Sequence, residues 1–263
     1  MPLRRIGPVL VLFGCCVQCG FRNQPNPQET VLYANLWMQT AAEYYAICEQ
    51  TYALAYERVA ALAAQESSEL PPAVVMDLDE TVIDNSGYQT YLTRAGENYS
   101  DETWEAYVQY QSGEPAPKAV PGAVEFISRT EDLGVTVVFI SNRTQTSRAD
   151  TLETLERLGI DISDAEDRVL LRTDTSSKTE RREITAGRYR IIAWFGDTLA
   201  DFDEEFEDGA SGTASVRRQR AEAARSRWGA DWFVLPNPTY GDFLGVLEQP
   251  LPQNLAGPSE LSR

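Results

Sequence analysis

The chain has 263 residues, a formal net charge of −17 and no histidine. That length allows one sizeable core with a small added element, and the acidity argues against a surface for nucleic-acid polymers, which calls for a basic patch. The absence of histidine excludes Ser-His-Asp triads, two-His zinc sites and histidine-phosphate chemistry.

In chain order, Arg4 and Arg5 precede a short apolar stretch at residues 6–13, the pattern of a processing signal over residues 1–19. The stretch is too short to span a bilayer as a helix. Leu12-Phe13-Gly14-Cys15 resembles a bacterial lipobox, with cleavage before Cys15 and diacylation of its sulfur. An ordinary signal peptide and an uncleaved anchor are the alternatives. The expectation is an exported, membrane-anchored bacterial lipoprotein at the outer membrane or cell surface. Cys15, Cys16 and Cys19 cluster there, which leaves Cys48 alone in the body and no disulfide within it. Residues 20–29 read as a polar tether.

Residues 30–70 form a helical extension, one long helix or two, whose aromatics (Trp37, Tyr44, Tyr45, Tyr52, Tyr56) read as packing. Pro71 and Pro72 end it. The body at 71–247 then alternates strands and helices. Strands are expected at 74–76, 135–140, 169–171, 191–195 and 232–235. Helices are expected at 123–132, at 146–158 with a stop at Gly159, at 178–186 with Gly187 after it, and at 214–227. Residues 86–118, polar and aromatic without a clear strand, read as a small cap. The acidic run Asp203-Glu204-Glu205 reads as a solvated helix face, and residues 248–263 as a loose tail. The fold class is α/β: a doubly wound parallel sheet with a small, mainly helical cap and an N-terminal helical extension.

The first strand runs directly into Asp77-Leu78-Asp79-Glu80-Thr81. The C-terminal edge of a parallel strand is where open α/β sheets hold ligands. Residues i and i+2 of a strand share a face, so both carboxylates can address one pocket. The string resembles the opening motif of the haloacid dehalogenase-like (HAD) superfamily, DxDx[TV]. The resemblance implies that Asp77 attacks phosphorus and becomes an aspartyl-phosphate. Asp79 would protonate the leaving oxygen and then activate the hydrolytic water. It further implies that Ser141 and the backbone N–H of Asn142 bind the transferring phosphoryl group, and that Lys178 steadies its charge. Lys178 and Lys118 are the chain's two lysines. Gly196-Asp197-Thr198-Leu199-Ala200-Asp201 resembles the fourth HAD motif, GDxxxD.

A cation is required on electrostatic grounds. Two unit charges about 4 Å apart repel by roughly 4 kcal/mol at an effective dielectric near 20. Lys178 supplies one positive charge. Mg²⁺ supplies two and prefers oxygen ligands. The resemblance assigns it a carboxylate oxygen of Asp77, the backbone carbonyl of Asp79 and a carboxylate oxygen of Asp197, with Asp201 in support.

The string from Asp77 to Tyr88 is similar to the first signature of class C nonspecific acid phosphatases, relatives of surface 5′-nucleotidases. Residues 196–202 match their second signature, and residues 119–126 and 235–241 also look familial. By that resemblance, Tyr88, Trp104 and Tyr240 are candidates to stack on a base of the leaving group; the alternative is cap and loop packing. The resemblance implies an Mg²⁺-dependent phosphomonoesterase. Its substrates would be 5′-nucleotides, such as nicotinamide mononucleotide, or smaller phosphate esters. The alternatives are a broad-specificity HAD phosphatase or phosphotransferase, and a non-catalytic surface protein on the same fold. The oligomeric state is open, with a dimer among the options.

Overall fold

In the computed structural model, which describes residues 31–65, 69–207, 212–248 and 251–257, the apolar run after Pro71 forms β1 (Pro72–Met76). This is the middle strand of a five-stranded sheet. It is flanked by β2 (Thr136–Thr144) and β4 (Arg190–Gly196), with β3 (Val169–Arg172) and β5 (Trp232–Val234) at the edges. All pairings are parallel, and the order is β3-β2-β1-β4-β5. The sequence expected this architecture. Strand order reverses between β1 and β4, which opens a crevice at their C-terminal ends.

The N-terminal extension is two helices, α1 (Leu32–Thr40) and α2 (Ala42–Ala63), broken at Ala41, whose backbone is extended. On α2 the residues Tyr44, Cys48, Tyr52, Ala55 and Val59 are buried. Their spacing of three and four lays one apolar stripe onto the sheet. Tyr52 stacks on Phe195 of β4, with ring centroids 5.9 Å apart. Its hydroxyl donates to the Thr81 carbonyl at 2.6 Å. Burying a large apolar side chain of this kind contributes about 1.5–3 kcal/mol. The aromatics Tyr44 and Tyr52 are therefore packing, as expected, although Tyr45 is exposed.

The interval at 86–118 carries two helices, α3 (Ser86–Ala95) and α4 (Asp101–Gln111). Gln39 of α1 donates to Thr90 of α3 at 2.8 Å. Ser112, just after α4, donates to Asp150 at 2.9 Å. Both halves of the cap are thus tied down. The remaining helices are α5 (Ala123–Asp132), α6 (Arg148–Arg157), α7 (Ala165–Arg168), α8 (Thr179–Arg188) and α9 (Ala214–Ala223).

Gly159 stops α6 as expected. Its φ is 84°, and the Ile160 amide reaches back to the Leu155 carbonyl. Gly187 does not stop α8, which runs one residue further to Arg188 and ends where Tyr189 turns extended into β4. The helix expected at 214–227 ends at Ala223, and tight turns follow, held by the Arg227–Asp231 ion pair. The acidic run near 204 is a 3₁₀ turn (Glu204–Phe206) with the Asp203 side chain capping the Glu205 amide, not an α-helix. Four-residue α7 was not foreseen, because it is too short to show a helical period. Residues 1–30, with Cys15, the signal and the tether, lie outside the described residues, as does part of the tail. No described helix is long and apolar enough to cross a membrane.

Candidate active site

The Asp77 amide donates to the Phe195 carbonyl of β4 at 3.0 Å. This bond fixes the point at which Asp77 leaves the sheet, in the crevice where strand order reverses. The chain then doubles back. The amides of Thr81, Val82 and Ile83 all return to the Leu78 carbonyl. The turn needs a left-handed residue, and Glu80 supplies it with φ 57°. Such a conformation costs a non-glycine residue roughly 1–3 kcal/mol. Contacts to the buried Glu80 carboxylate offset the cost: it accepts from the Asn85 amide at 2.8 Å and from the Asn85 side chain at 3.2 Å, and it contacts the Tyr240 hydroxyl. Burial first, then Asp79 and Asp197, holds this carboxyl well above the usual range.

Asp77, Asp197 and Asp201 each present a carboxylate oxygen within 4.8 Å of the others. Lys178, immediately before α8, reaches this cluster. Its Nζ donates to Asp77 Oδ1 at 2.5 Å and to Asp201 Oδ1 at 2.6 Å. Burial acts to lower the Lys178 pKa, but Asp201 and Asp77 outweigh it and the pKa is raised. Lysine therefore stays charged. Burial, reinforced by Asp201 and Asp79 and opposed by Lys178, lifts Asp77 to about 7. Burial, then Asp201 and Asp77, also raises Asp197 well above the carboxylate range.

Two buried carboxylates, Asp77 and Asp201, and the half-buried Asp197 meet one ammonium, so the cluster lacks positive charge. Each additional like pair at this spacing costs roughly 3–4 kcal/mol. An all-oxygen set of this kind fits a hard divalent cation, which would hold Asp77 ionised. Asp197 is oriented by Asn237, whose Nδ2 donates to its Oδ2 at 2.8 Å. Asp201 is oriented by the amide and hydroxyl of Thr198. The loop leaves no room for a side chain at Gly196: a Cβ there would lie 2.3 Å from Asp201 Oδ2.

Asp79 is held by different partners. Arg143 Nε and the Asn85 side chain both donate to its Oδ1 at 2.9 Å. Among the described residues, Oδ2 has only a long contact, 3.5 Å, with the Ser141 hydroxyl. Oδ2 is therefore the less engaged of the two carboxylate oxygens.

Ser141, Asn142 and Arg143 sit at the end of β2, where the register with β3 slips: Ser141 pairs with Leu171, but the next pair is Thr144 with Arg172. Such a bulge re-aims side chains. Ser141 and Arg143 are buried and Asn142 is exposed. Arg181 of α8 braces this segment, donating to the Ser141 carbonyl, to Asn142 Oδ1 at 2.7 Å and to the Ser177 carbonyl at 2.9 Å.

A cleft of about 1020 Å³ joins these groups to the cap. Trp104 and Tyr240 line it with partly exposed rings. Tyr88 also reaches its wall, but the ring is 1% exposed and is enclosed by Tyr91, Tyr99, Trp104 and Tyr107. Its hydroxyl shares a 2.8 Å hydrogen bond with Thr103. Tyr88 is thus placed as cap packing, without an open face for a base.

The structure brings Asp77, Asp79, Ser141, Lys178, Asp197 and Asp201 to one crevice. Sequence reasoning gave no role to Glu80, Asn85, Gln111, Arg143, Arg181 or Asn237. The available signal for Arg143 and Asn237 was position, since each lies within or beside a motif-like string. Nothing in the local pattern of Gln111 marks it.

A family model described as HAD superfamily, subfamily IIIB (acid phosphatase), matches residues 20–243. The structure of the class C acid phosphatase from Bacillus anthracis with tungstate bound is similar, with a TM-score of 0.76 and 32% identity. The match covers 84% of this chain and 89% of that one. A second structure of the Bacillus anthracis class C acid phosphatase matches with the same TM-score at 31% identity, over the same shares of both chains. A phospholysine phosphohistidine inorganic pyrophosphate phosphatase from Bos taurus is 41% identical over 59 residues. That match spans 22% of this chain and 22% of the bovine protein.

Proposed function

The chain belongs to HAD subfamily IIIB, the acid phosphatases, and we propose that it is a magnesium-dependent phosphomonoesterase acting through an aspartyl-phosphate on Asp77. The observation that carries this reading is the bridge from Lys178 to Asp77 and Asp201 beside Asp197. A nucleophile, a charge partner and a cation-deficient carboxylate cluster meet at one strand edge. The tungstate bound in the structure of the Bacillus anthracis relative supports it as well, since tungstate and phosphate are both tetrahedral oxyanions.

Asp77 attacks phosphorus as the ester P–O bond breaks, and the leaving oxygen takes a proton from Asp79 Oδ2. Water then attacks the phosphoryl group, its proton passes to Asp79, and the bond to Asp77 breaks. Ser141, the Asn142 amide and Lys178 hold the phosphoryl oxygens through both steps. Asp77, the Asp79 carbonyl and Asp197 would ligate Mg²⁺, with Asp201 in support; the ion, when bound, supplies charge neutralisation at the phosphoryl oxygens. Substrate choice lies with the cap and the C-terminal loop, where Trp104 and Tyr240 respectively offer faces for a base. Nicotinamide mononucleotide and other 5′-nucleotides are the proposed substrates, and smaller esters are the second choice. An N-terminal lipid on Cys15 would keep the enzyme at the outer membrane or cell surface.

Phosphate release from nicotinamide mononucleotide, AMP and p-nitrophenyl phosphate, with Mg²⁺ and with EDTA, tests the proposal. Metal-dependent release that disappears in Asp77→Asn is expected. Appreciable turnover by purified Asp77→Asn would sink the nucleophile assignment, and no release by folded wild type would sink the enzymatic reading.

A further inference from the structure

Arg172 ends β3 at the same edge of the sheet as the Asp77 crevice and lines the same cleft, whose wall also includes Asn98, Tyr99, Thr175 and Ser176. The other arginines around the site have committed guanidinium groups. Arg143 holds Asp79 and Gln111, Arg181 holds the Ser141 and Asn142 oxygens, and Arg182 holds the Ala200 carbonyl and Glu207. Among the described residues, no hydrogen bond or ion pair engages the Arg172 side chain. It is half-buried in a chain with 40 acidic and 23 basic residues. Tyr99 beside it donates its hydroxyl to Asp101 at 2.9 Å, so that carboxylate is turned to the tyrosine.

A guanidinium facing a cleft without a carboxylate partner is a receptor for an anion, and its planar fork matches carboxylate or phosphate oxygens. Placement sets the distance. β3 lies two strands from β1, which is about 10 Å at the usual strand spacing. An arginine side chain leaning into the cleft shortens that. We propose that Arg172 is a second-anion subsite, so that among esters without a base the preferred ones carry, beside the scissile phosphoryl group, a carboxylate or second phosphate a few carbon atoms away. This rests on the phosphomonoesterase reading above and adds a substrate class to it. A nucleotide base on Trp104 is not required for such esters.

The test uses the full chain and two matched pairs. One pair is 3-phosphoglycerate and glycerol 3-phosphate, which differ by a carboxylate. The other is fructose 1,6-bisphosphate and fructose 6-phosphate, which differ by a phosphate. A hydrogen bond to a charged group of this type is worth roughly tenfold or more in binding, so wild type should favour the doubly anionic member of at least one pair by tenfold or more in kcat/KM. Arg172→Gln should bring that ratio to about one, and Arg172→Lys should restore part of it. Which pair responds identifies the second anion. Equal kcat/KM within both pairs, or an equal loss on both members in Arg172→Gln, would overturn the subsite. Hydrolysis of p-nitrophenyl phosphate by the same preparation separates this from failure of the underlying reading. If that ester is not cleaved, the phosphomonoesterase reading fails, and calorimetric binding of the same pairs decides the subsite. Tighter binding of the dianionic member, lost in Arg172→Gln, upholds it, and equal affinity overturns it.

Discussion

Arg143 and Asp79 form an ion pair at 2.9 Å in which the guanidinium is wholly buried and the carboxylate keeps one edge toward the cleft. The same guanidinium donates to Gln111 of the cap at 2.8 Å. One arginine therefore links the proposed acid/base to the helix above it. Asn85 binds both partners, donating to Asp79 and accepting from Gln111 at 2.7 Å.

Arg143 is thus a positioning residue. Arg143→Lys keeps the charge but loses the fork that grips Asp79 Oδ1 and Gln111 together. A misplacement of about 1 Å in an acid/base can cost on the order of 10²-fold in rate. The expected outcome is a kcat lowered ten- to a hundredfold with KM changed less than threefold, measured by steady-state phosphate release. A matching rise in KM with kcat intact would assign Arg143 to substrate binding instead.

Gly196→Ala places a methyl 2.3 Å from Asp201 Oδ2 and 2.4 Å from its Cβ, and a Cβ cannot swing aside. Overpacking of this kind costs about 1–3 kcal/mol, which in a chain of this size is a Tm lowered by roughly 3–10 °C. Because Asp201 is displaced, calorimetry should also show weaker Mg²⁺ binding. Unchanged Tm and unchanged metal affinity together would refute the close packing.

Trp104→Ala and Tyr88→Ala should separate cleft from packing. Stacking on a base is worth about 1–3 kcal/mol. Trp104→Ala should raise KM for AMP about tenfold relative to p-nitrophenyl phosphate. Tyr88→Ala should lower Tm while altering that ratio little, since its ring is enclosed. Equal KM ratios in the wild type and Trp104→Ala would remove Trp104 from base recognition.

The buried Cys48 thiol makes a pH prediction. Burial, with Asp84 and Glu49 adding to it and Tyr44 opposing, pushes its pKa up to about 12 from 9.0. The unfolded thiol then ionises before the folded one. Its contribution is complete below pH 9 and is lost as pH rises from about 9 toward 12. Urea unfolding should therefore show the stability advantage of wild type over Cys48→Ala to be constant at pH 7–8 and to shrink above pH 9. An advantage that holds steady to pH 11 would contradict the burial of the thiol.

The sheet and its motif strings were legible in the sequence because they are local. A β-branched run ending in Asp77-Leu78-Asp79, or Ile191 running into Gly196-Asp197, carries its strand and its chemistry in consecutive residues. The supporting contacts were not legible, because Arg143, Asn85 and Gln111 meet only after the cap folds over β2. Ser141 and Asn142 were expected just beyond a strand that ended at 140. The strand in fact continues to Thr144 through a bulge that polar residues do not announce. Glu80 was read as part of a string, while its left-handed backbone follows from tertiary contacts to Asn85 and Tyr240.

The hydrogen bond from Tyr52 to the Thr81 carbonyl changes what counts as the enzyme. A chain severed between α2 and β1 would not shed an appendage; it would yield two halves of one catalyst. The N-terminal half would carry the helix that braces the loop after Asp79. Activity would then obey a bimolecular equilibrium, falling on dilution and returning when the missing half is added back.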